Sequence, residues 1–364
     1  LPYEDQPGFR FCPYLSDNPY IRWNGCFRRQ WREGKRPVIA KIASFLIPEN
    51  FYIQRGLCVM SHITIVIPIY NRAHTIKRTL HSIDAQNVKP KRVIVVDNGS
   101  TDDSLEIVCE WSRREHGFEC VICEESRRGA CAARNRGLED VETEFVMFFD
   151  SDDEMSPSHV ADFSKAISRH PDIDIFGRTA SLVNIAGQRH EAYFTSRSPV
   201  FNHLFRGCMS TQRVVVRTSL VRRVGGWNED LFVWNDFELG ARLLLASDRI
   251  FHLPGKPSVI VHQQADSITG VSFSSKAGQW EKTLDCMERY FITSGRSDLI
   301  RWLDCRRMIL AAQYFCEGRP DLAEMLKAQV LDGNPSAWRL RLIYWHNRLF
   351  HRLTWLFARV LFAL

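Results

Sequence analysis

Asp150-Ser151-Asp152-Asp153 and Asp97-Asn98-Gly99-Ser100 each follow directly on a run rich in β-branched and aromatic residues. The runs are Glu144-Phe145-Val146-Met147-Phe148-Phe149 and Arg92-Val93-Ile94-Val95-Val96. Stretches this apolar suit central strands of a parallel sheet, buried on both faces. In open α/β sheets, ligands bind beyond the carboxyl ends of such strands, so both clusters stand where a ligand would lie. An Asp-x-Asp there offers hard oxygen donors for Mg²⁺ or Mn²⁺, ions that commonly combine one or two carboxylates with the phosphates of a substrate. Asp and Ser also serve as turn and N-cap residues ahead of a helix. For Asp97 that structural reading stands beside the functional one.

The elements needed to hold these acids follow from periodicity. Ile63 to Ile69 reads as a strand, and Ala73 to Ala85 carries Ile76, Leu80 and Ile83 at helical spacing. Strands over 92–97, 119–124 and 144–150 then alternate with helices over 102–115 and 129–139. Alternation with short links predicts right-handed crossovers and a mostly parallel, Rossmann-like α/β sheet flanked by helices. The first strand leads into Pro68-Ile69-Tyr70-Asn71-Arg72, with neither a Gly-x-Gly-x-x-Gly nor a P-loop, so a dinucleotide cofactor is not expected. After Asp153 a helix is predicted near 158–169, with short strands at 173–177, 181–185, 190–194 and 212–217. Gly225-Gly226-Trp227-Asn228-Glu229 reads as a turn into a helix over 234–245, whose acids fall in the first turn, where the dipole favours them. Residues beyond 275 read as an all-α extension, with a hairpin broken at Gly318-Arg319-Pro320.

With 364 residues, the chain has room for one large domain and an appendage. Hydrophobic residues at 45% and charged residues at 25% fit a globular class rather than a disordered one. A net charge of +6 suits phosphate-bearing or membrane-surface partners, and the lack of a central basic block interleaved with aromatics points away from nucleic acid. Eleven cysteines, an odd number, read as free thiols of a reducing, cytoplasmic compartment. Cys120-x-x-Cys123 lies inside an apolar run without a second pair, which favours a buried strand over zinc. No stretch of apolar residues is long enough to predict a membrane-spanning helix. Residues 1–60 show no sustained period, and Met60 immediately precedes the first strand. They read either as an accessory segment or as an extension upstream of a natural start.

Five segments, in order, resemble the motifs of family 2 glycosyltransferases of GT-A fold. They are Ile67-Pro68-Ile69-Tyr70-Asn71, Val95-Val96-Asp97-Asn98-Gly99-Ser100-Thr101-Asp102, the stretch Gly129 to Gly137 with Arg134-Asn135, Phe149-Asp150-Ser151-Asp152-Asp153, and Trp234-Asn235-Asp236-Phe237-Glu238-Leu239. The resemblance implies a GT-A domain over 61–272 and an inverting transfer of a sugar from a nucleotide-diphosphate donor, usually UDP-linked, to an acceptor hydroxyl. It implies that Pro68, Tyr70 and Asn71 line the nucleotide, that Asp97 accepts from the base and that Arg134 helps hold the base end. Asp150 would face the ribose or metal shell, Asp152 would ligate the divalent ion, and Asp236 would act as the general base. An inactive sugar-nucleotide binding module and a nucleotidyltransferase are the rival readings: the retention of Asp97, Asp152 and Asp236 together disfavours the first, and release of pyrophosphate from a nucleoside triphosphate would mark the second.

Two departures from the family pattern matter. Asn235-Asp236 replaces the frequent Glu-Asp pair, which leaves Glu238 as a competing base, and His262 and Gln264 stand where the family often has Arg and His. The Gln-x-x-Arg-Trp signature of processive synthases is missing there, which favours addition of a single sugar, in keeping with assembly of a cell-surface glycan on a glycan or lipid-linked acceptor. The resemblance leaves the last ninety or so residues unread: a helical region over 273–336, then a basic amphipathic helix over 337–364. On a single helix at 3.6 residues per turn, Arg348, Arg352 and Arg359 fall within about 20° of Arg341, amid Trp, Leu, Ile and Phe. That stripe predicts an interfacial helix at the inner face of the cell membrane, its arginines among anionic headgroups. A terminal helix docked on the protein is the alternative.

Overall fold

The computed structural model describes residues 61–263, 272–350 and 353–363. The expectation for residues 1–60 and that for Gln264 lie outside them. Strands β1 (Ile63–Ile69), β2 (Arg92–Asp97), β3 (Glu119–Glu124) and β4 (Phe145–Phe148) alternate with helices α1 (Ile76–Asp84), α2 (Ser104–Ser112) and α3 (Ala130–Glu139). These four strands pair in parallel in the order β4-β1-β2-β3, and every residue of β1 and β4 is buried, as their unbroken apolar runs require. Helix α3 lies so close to the sheet that a Cβ at Gly137 would stand 2.4 Å from Cγ1 of Val66. Only glycine permits that approach.

The second half departs from simple alternation. After β5 (Glu154–Met155) and α4 (His159–Arg169), strands β6 (Ile175–Gly177), β9 (Val214–Arg217) and β10 (Ile250–His252) complete a seven-stranded sheet, with β9 antiparallel to both β4 and β6. Strands β7 (Ala180–Val183), β8 (Arg189–Ala192) and β11 (Val259–His262) join β5 in a separate four-stranded sheet. Helices α5 (Pro199–Arg206) and α6 (Thr218–Arg223) flank β9 in the chain and lead to α7 (Asn235–Ala246). The architecture is α/β and GT-A-like, with an all-α C-terminal extension.

Helix α7 is buried nearly all round because it serves two cores. Leu239, Leu243 and Leu244 pack beneath the sheet with Val146, Phe148 and Val216, while Phe237 and Ala241 belong to the core of the extension. A helix covered on both sides loses the polar face of an amphipathic one. The extension comprises α8 (Gln279–Thr293), α9 (Ile300–Cys316), α10 (Pro320–Leu331), α11 (Ala337–Phe350) and α12 (Thr354–Leu361), and the hairpin turn does fall between Cys316 and Pro320.

The expected single helix over 337–364 divides in two. Leu353 takes a left-handed backbone (φ 58°), ending the register between α11 and α12. The break lets Ala358 and Leu361 join the core with Leu340, Ile343 and Tyr344, and Asn347 Nδ2 donates to Thr354 Oγ1 at 3.1 Å across it. Burial on both arms outweighs the helical continuity that the sequence suggests. The arginines no longer share one helix: Arg348 covers the Phe315 ring at 3.6 Å, Arg359 lies over Phe201 at 5.6 Å while still exposed, Arg341 is exposed on α11, and the expectation for Arg352 lies outside the described residues. Apolar side chains face outward beside them, namely Trp338, Leu342, Trp345 and Leu349 on α11, then Leu353, Leu356 and Val360. No described helix is long and apolar enough to cross a membrane.

Candidate active site

The carboxyl ends of β1, β2 and β4 converge, and most of the candidate residues stand there. Pro68 lies in β1 opposite Val96, with Tyr70 and Asn71 just beyond the strand. Asn71, with φ 50°, accepts from the Thr101 amide through Oδ1 at 2.8 Å and donates its own N–H to Ser100 Oγ at 3.1 Å. Asp97 is buried, and its Oδ2 accepts from the amides of Gly99 and Ser100, each at 3.1 Å. The carboxylate thus fixes the turn after β2, so the structural half of its reading holds. Asn98 spans to the next loop, donating to the carbonyls of Glu125 (2.8 Å) and Arg127 (2.7 Å) and accepting from the Gly129 amide (2.7 Å). Tyr70 is exposed at the rim, and its hydroxyl accepts from Arg128 at 2.9 Å. These bonds hold the three loops as one concave edge.

The acidic cluster lies at the end of β4. Asp150, Asp152 and Asp153 offer carboxylate oxygens within 4.8 Å of one another. Such close carboxylates repel: burial, with the Asp150 charge next, pushes the Asp152 carboxyl up to about 6, and burial beside Asp152 and Asp150 raises Asp153 well above the carboxylate range. An all-oxygen set of converging acids suits a hard divalent cation, which would relieve that repulsion.

Gln212 and Asp153 belong to this cluster, although no role was assigned to them from sequence. Gln212 Nε2 donates to Asp150 Oδ2 at 2.6 Å and also to Asp153, whose Oδ1 accepts from the His262 amide at 2.9 Å. Gln212 reaches Asp150 because β9 runs antiparallel to β4, which puts the residues before β9 beside the end of β4. A strand direction is not visible in the local sequence, so the only available signal was a polar residue at the mouth of a short apolar strand. The ring of His262 meets Glu154 at 2.7 Å, so its backbone, not its imidazole, touches the acidic cluster.

Arg134 is buried under the cluster rather than beside Tyr70 and Asn71. Its Nη2 donates to Asp150 Oδ1 at 2.7 Å, and its guanidinium stacks over Trp227 at 4.4 Å. Asn135 secures that stack: it exchanges hydrogen bonds with the backbone of Trp227, at 2.8 and 2.9 Å, and bonds Glu229 at 2.8 Å. The Arg134-Asn135 pair therefore ties the turn before α7 to α3.

Asp236 sits in the first turn of α7, half-buried, accepting from the Phe237 amide at 2.8 Å. Burial raises its carboxyl above the usual range, and the Arg134 charge draws it back. A carboxylate displaced upward is a stronger proton acceptor than an ordinary one, as a general base requires. Glu238, the competing candidate, is held elsewhere: it is buried and bound by both arms of Arg242, at 2.7 and 2.6 Å. Arg242 in turn donates to the Val224 carbonyl at 2.6 Å. Both lone-pair edges of Glu238 are thus engaged inside the protein.

Comparison with known proteins agrees with this arrangement. Residues 64–223 match the profile of Glycosyl transferase family 2. Glycosyltransferase GlyA of Streptococcus pneumoniae is 36% identical over 111 residues, covering 30% of this chain and 16% of the relative. The pre-mycofactocin glycosyltransferase of Mycobacterium tuberculosis is 30% identical over 241 residues, covering 60% of this chain and 47% of the relative. The matched part of the chain thus spans less than half the length of either relative. Among solved structures, residues 1–349 of TarS from S. aureus in complex with UDP superpose with a TM-score of 0.55 at 20% identity, covering 79% of this chain and 88% of that one. The fold and site define a GT-A protein. Residues 64–223 carry a family 2 glycosyltransferase domain.

Proposed function

We propose that the protein catalyses inverting transfer of a single sugar from a nucleotide-diphosphate donor, UDP-linked in the first instance, to an acceptor hydroxyl. The observation that carries this reading is that Arg134 ties Asp150, at the acidic cluster, to the neighbourhood of Asp236, so donor and acceptor chemistry adjoin. The nucleoside would lie along Pro68, Tyr70, Asn71 and Asp97, with its diphosphate toward Asp150 and Asp152. Asp152, with Asp150 and Asp153 beside it, would hold Mg²⁺ or Mn²⁺, which when bound neutralises charge on the departing diphosphate. Asp236 takes the proton of the acceptor hydroxyl as its oxygen bonds to the anomeric carbon and the bond to the nucleoside diphosphate breaks on the opposite side. Arg134, through Asp150, keeps the acids in place.

The acceptor is a glycan or lipid-linked hydroxyl of a cell-surface polymer, met at the cytoplasmic face of the membrane. Its support is the row Trp338, Leu342, Trp345 and Leu349, exposed along one face of α11 and continued by Leu353, Leu356 and Val360. Exposed apolar patches of this kind mark interaction surfaces. The weight of membrane contact moves from the arginines to these side chains. Cosedimentation with vesicles tests it: changing Trp345 and Leu349 to Ser should release the protein from neutral and anionic vesicles alike.

A panel of sugar nucleotides, assayed for released nucleoside diphosphate with and without chelator, tests the transfer reading. Turnover of one donor that is lost in Asp236→Asn supports it. Release of pyrophosphate from a nucleoside triphosphate would indicate a nucleotidyltransferase instead, and binding without turnover an inactive module.

A further inference from the structure

Arg306 and Arg307 are neighbours on α9 with opposite fates. Arg307 is buried with three carboxylates, bonding Asp285 at 2.9 Å and Asp304 at 3.2 Å and pairing with Glu288 at 2.5 Å. Arg306 has no carboxylate partner among the described residues, and its Nε is enclosed without a hydrogen-bond partner. Its guanidinium lies over the rings of Trp234, at 4.8 Å, and Phe237, at 5.6 Å. Burial alone pushes its pKa down to about 10. The side chain is half-buried, not sealed, and a guanidinium set against aromatic faces without a carboxylate partner is suited to meet an anionic ligand.

The guanidinium borders a cavity of about 240 Å³, walled by Trp234, Phe273 and Trp355 and edged by Gln313, Asn347 and Thr354. The polar edge is linked, Gln313 donating to Asn347 at 3.2 Å and Asn347 to Thr354 at 3.1 Å. Aromatic faces with amide and hydroxyl edges match the two faces of a sugar ring. The volume lies below the roughly 300 Å³ at which drug-sized sites begin, room for one small unit. Trp234 is the wall nearest the chemistry. It precedes Asp236 by two residues and holds φ at 50°, a strained value for a bulky side chain, which turns attention to function.

We propose that this cavity is an acceptor subsite that takes an anionic monosaccharide unit, with Arg306 receiving its carboxylate or phosphate and Trp234 coupling its occupancy to Asp236. The word acceptor rests on the transferase reading; the anionic-sugar site does not. Phosphate and carboxylate share the chemistry a guanidinium fork recognises, and they are separated by choice of probe.

The test is calorimetry on the full chain, with the donor site saturated by UDP and Mn²⁺, titrating glucuronate, glucose 6-phosphate and neutral glucose. At least one anionic probe should bind the wild type ten-fold or more tightly than glucose. Arg306→Gln should abolish that preference without lowering the melting temperature, because it removes an uncompensated cation. Arg306→Lys should retain part of the preference. A preference for glucuronate alone assigns the site to a uronic acid, and for glucose 6-phosphate alone to a phosphosugar. Equal or undetectable binding of all three probes to the wild type, or an unchanged preference in Arg306→Gln, overturns the proposal. A fall in melting temperature of Arg306→Gln and Arg306→Lys alike, with probe binding lost in both, would also overturn it, since the arginine would then be structural. Donor hydrolysis is followed in parallel. Its persistence without any anionic preference sinks this inference alone, whereas an anionic preference without hydrolysis of any sugar nucleotide keeps the site and sinks the transferase reading.

Discussion

Asp236 and Glu238 lie two residues apart on one helix, and their substitution should give opposite phenotypes. Glu238→Gln removes the charge from a pair whose side chains are only 5% and 9% exposed. Arg242 would keep its bond to the Val224 carbonyl yet lose its counter-ion. Breaking a buried pair from one side costs about 3–5 kcal/mol. A domain of this size shifts by about 2–4 °C for each kcal/mol, so the lower figure corresponds to a fall of roughly 6–12 °C in melting temperature. Below that temperature the folded fraction should turn over donor at close to the wild-type rate. Asp236→Asn breaks no ion pair and should leave the melting temperature within about 2 °C, while slowing transfer by about 10²–10⁴, the usual contribution of a general base. Affinity for UDP should not change, because the base acts on the acceptor. Differential scanning fluorimetry, steady-state transfer and UDP calorimetry on both variants decide the matter. The reasoning fails if Glu238→Gln is as stable as the wild type and inactive, or if Asp236→Asn loses UDP affinity as steeply as rate.

Other consequences are checked more briefly. Asp152→Asn should lose most divalent-ion-dependent activity while remaining folded, and excess chelator should have the same effect on the wild type. The Asp152 carboxyl, held up at about 6, favours its protonated form in the fold, so its contribution to stability is present at low pH and lost as pH rises through about 6. The melting temperature of metal-free protein should therefore rise between about pH 7 and about pH 5 relative to Asp152→Asn, and Mn²⁺ should stabilise more at the higher pH. Gln212→Ala unties Asp150 from Asp153 and should raise the Mn²⁺ concentration needed for half-maximal activity by about tenfold, an amount worth one charge-assisted hydrogen bond; an unchanged requirement would remove Gln212 from the site. Gly137→Ala should destabilise by driving a methyl into Val66, visible as a lower melting temperature with an unaltered requirement for metal.

How far the site was legible follows from the range of the interactions involved. The unbroken apolar runs of β1, β2 and β4 and the acids that end them are local patterns, and a parallel sheet is what such runs form. That logic gave the position of Asp97, Asp150 and Asp152 at the strand ends, and the resemblance added Asp236 at a helix start. The hairpin turn at Gly318-Arg319-Pro320 was also local, marked by a proline at the first helical position of α10.

Tertiary structure decided what depends on partners far along the chain. The choice between Asp236 and Glu238 is invisible in Trp234-Asn-Asp-Phe-Glu-Leu. What separates the two is that Arg242, which also donates to the Val224 carbonyl, holds Glu238 inside the protein. Gln212 reaches the acids only because β9 reverses direction beside β4, and Arg134 turns to Asp150 because Asn135 brings Trp227 beneath it. The C-terminal segment has helical residues throughout, so its sequence predicts one helix with an arginine stripe. Two short helices result, since the break at Leu353 buries Ala358 and Leu361 and an unbroken helix would forgo that packing. Arg306 and Arg307 are adjacent residues of one type, and only the helices packed around them leave one among three carboxylates and the other facing a cavity. Local sequence fixes which residues can form an element, but the surroundings of each side chain are set by packing between elements, where burial free energy exceeds any local preference.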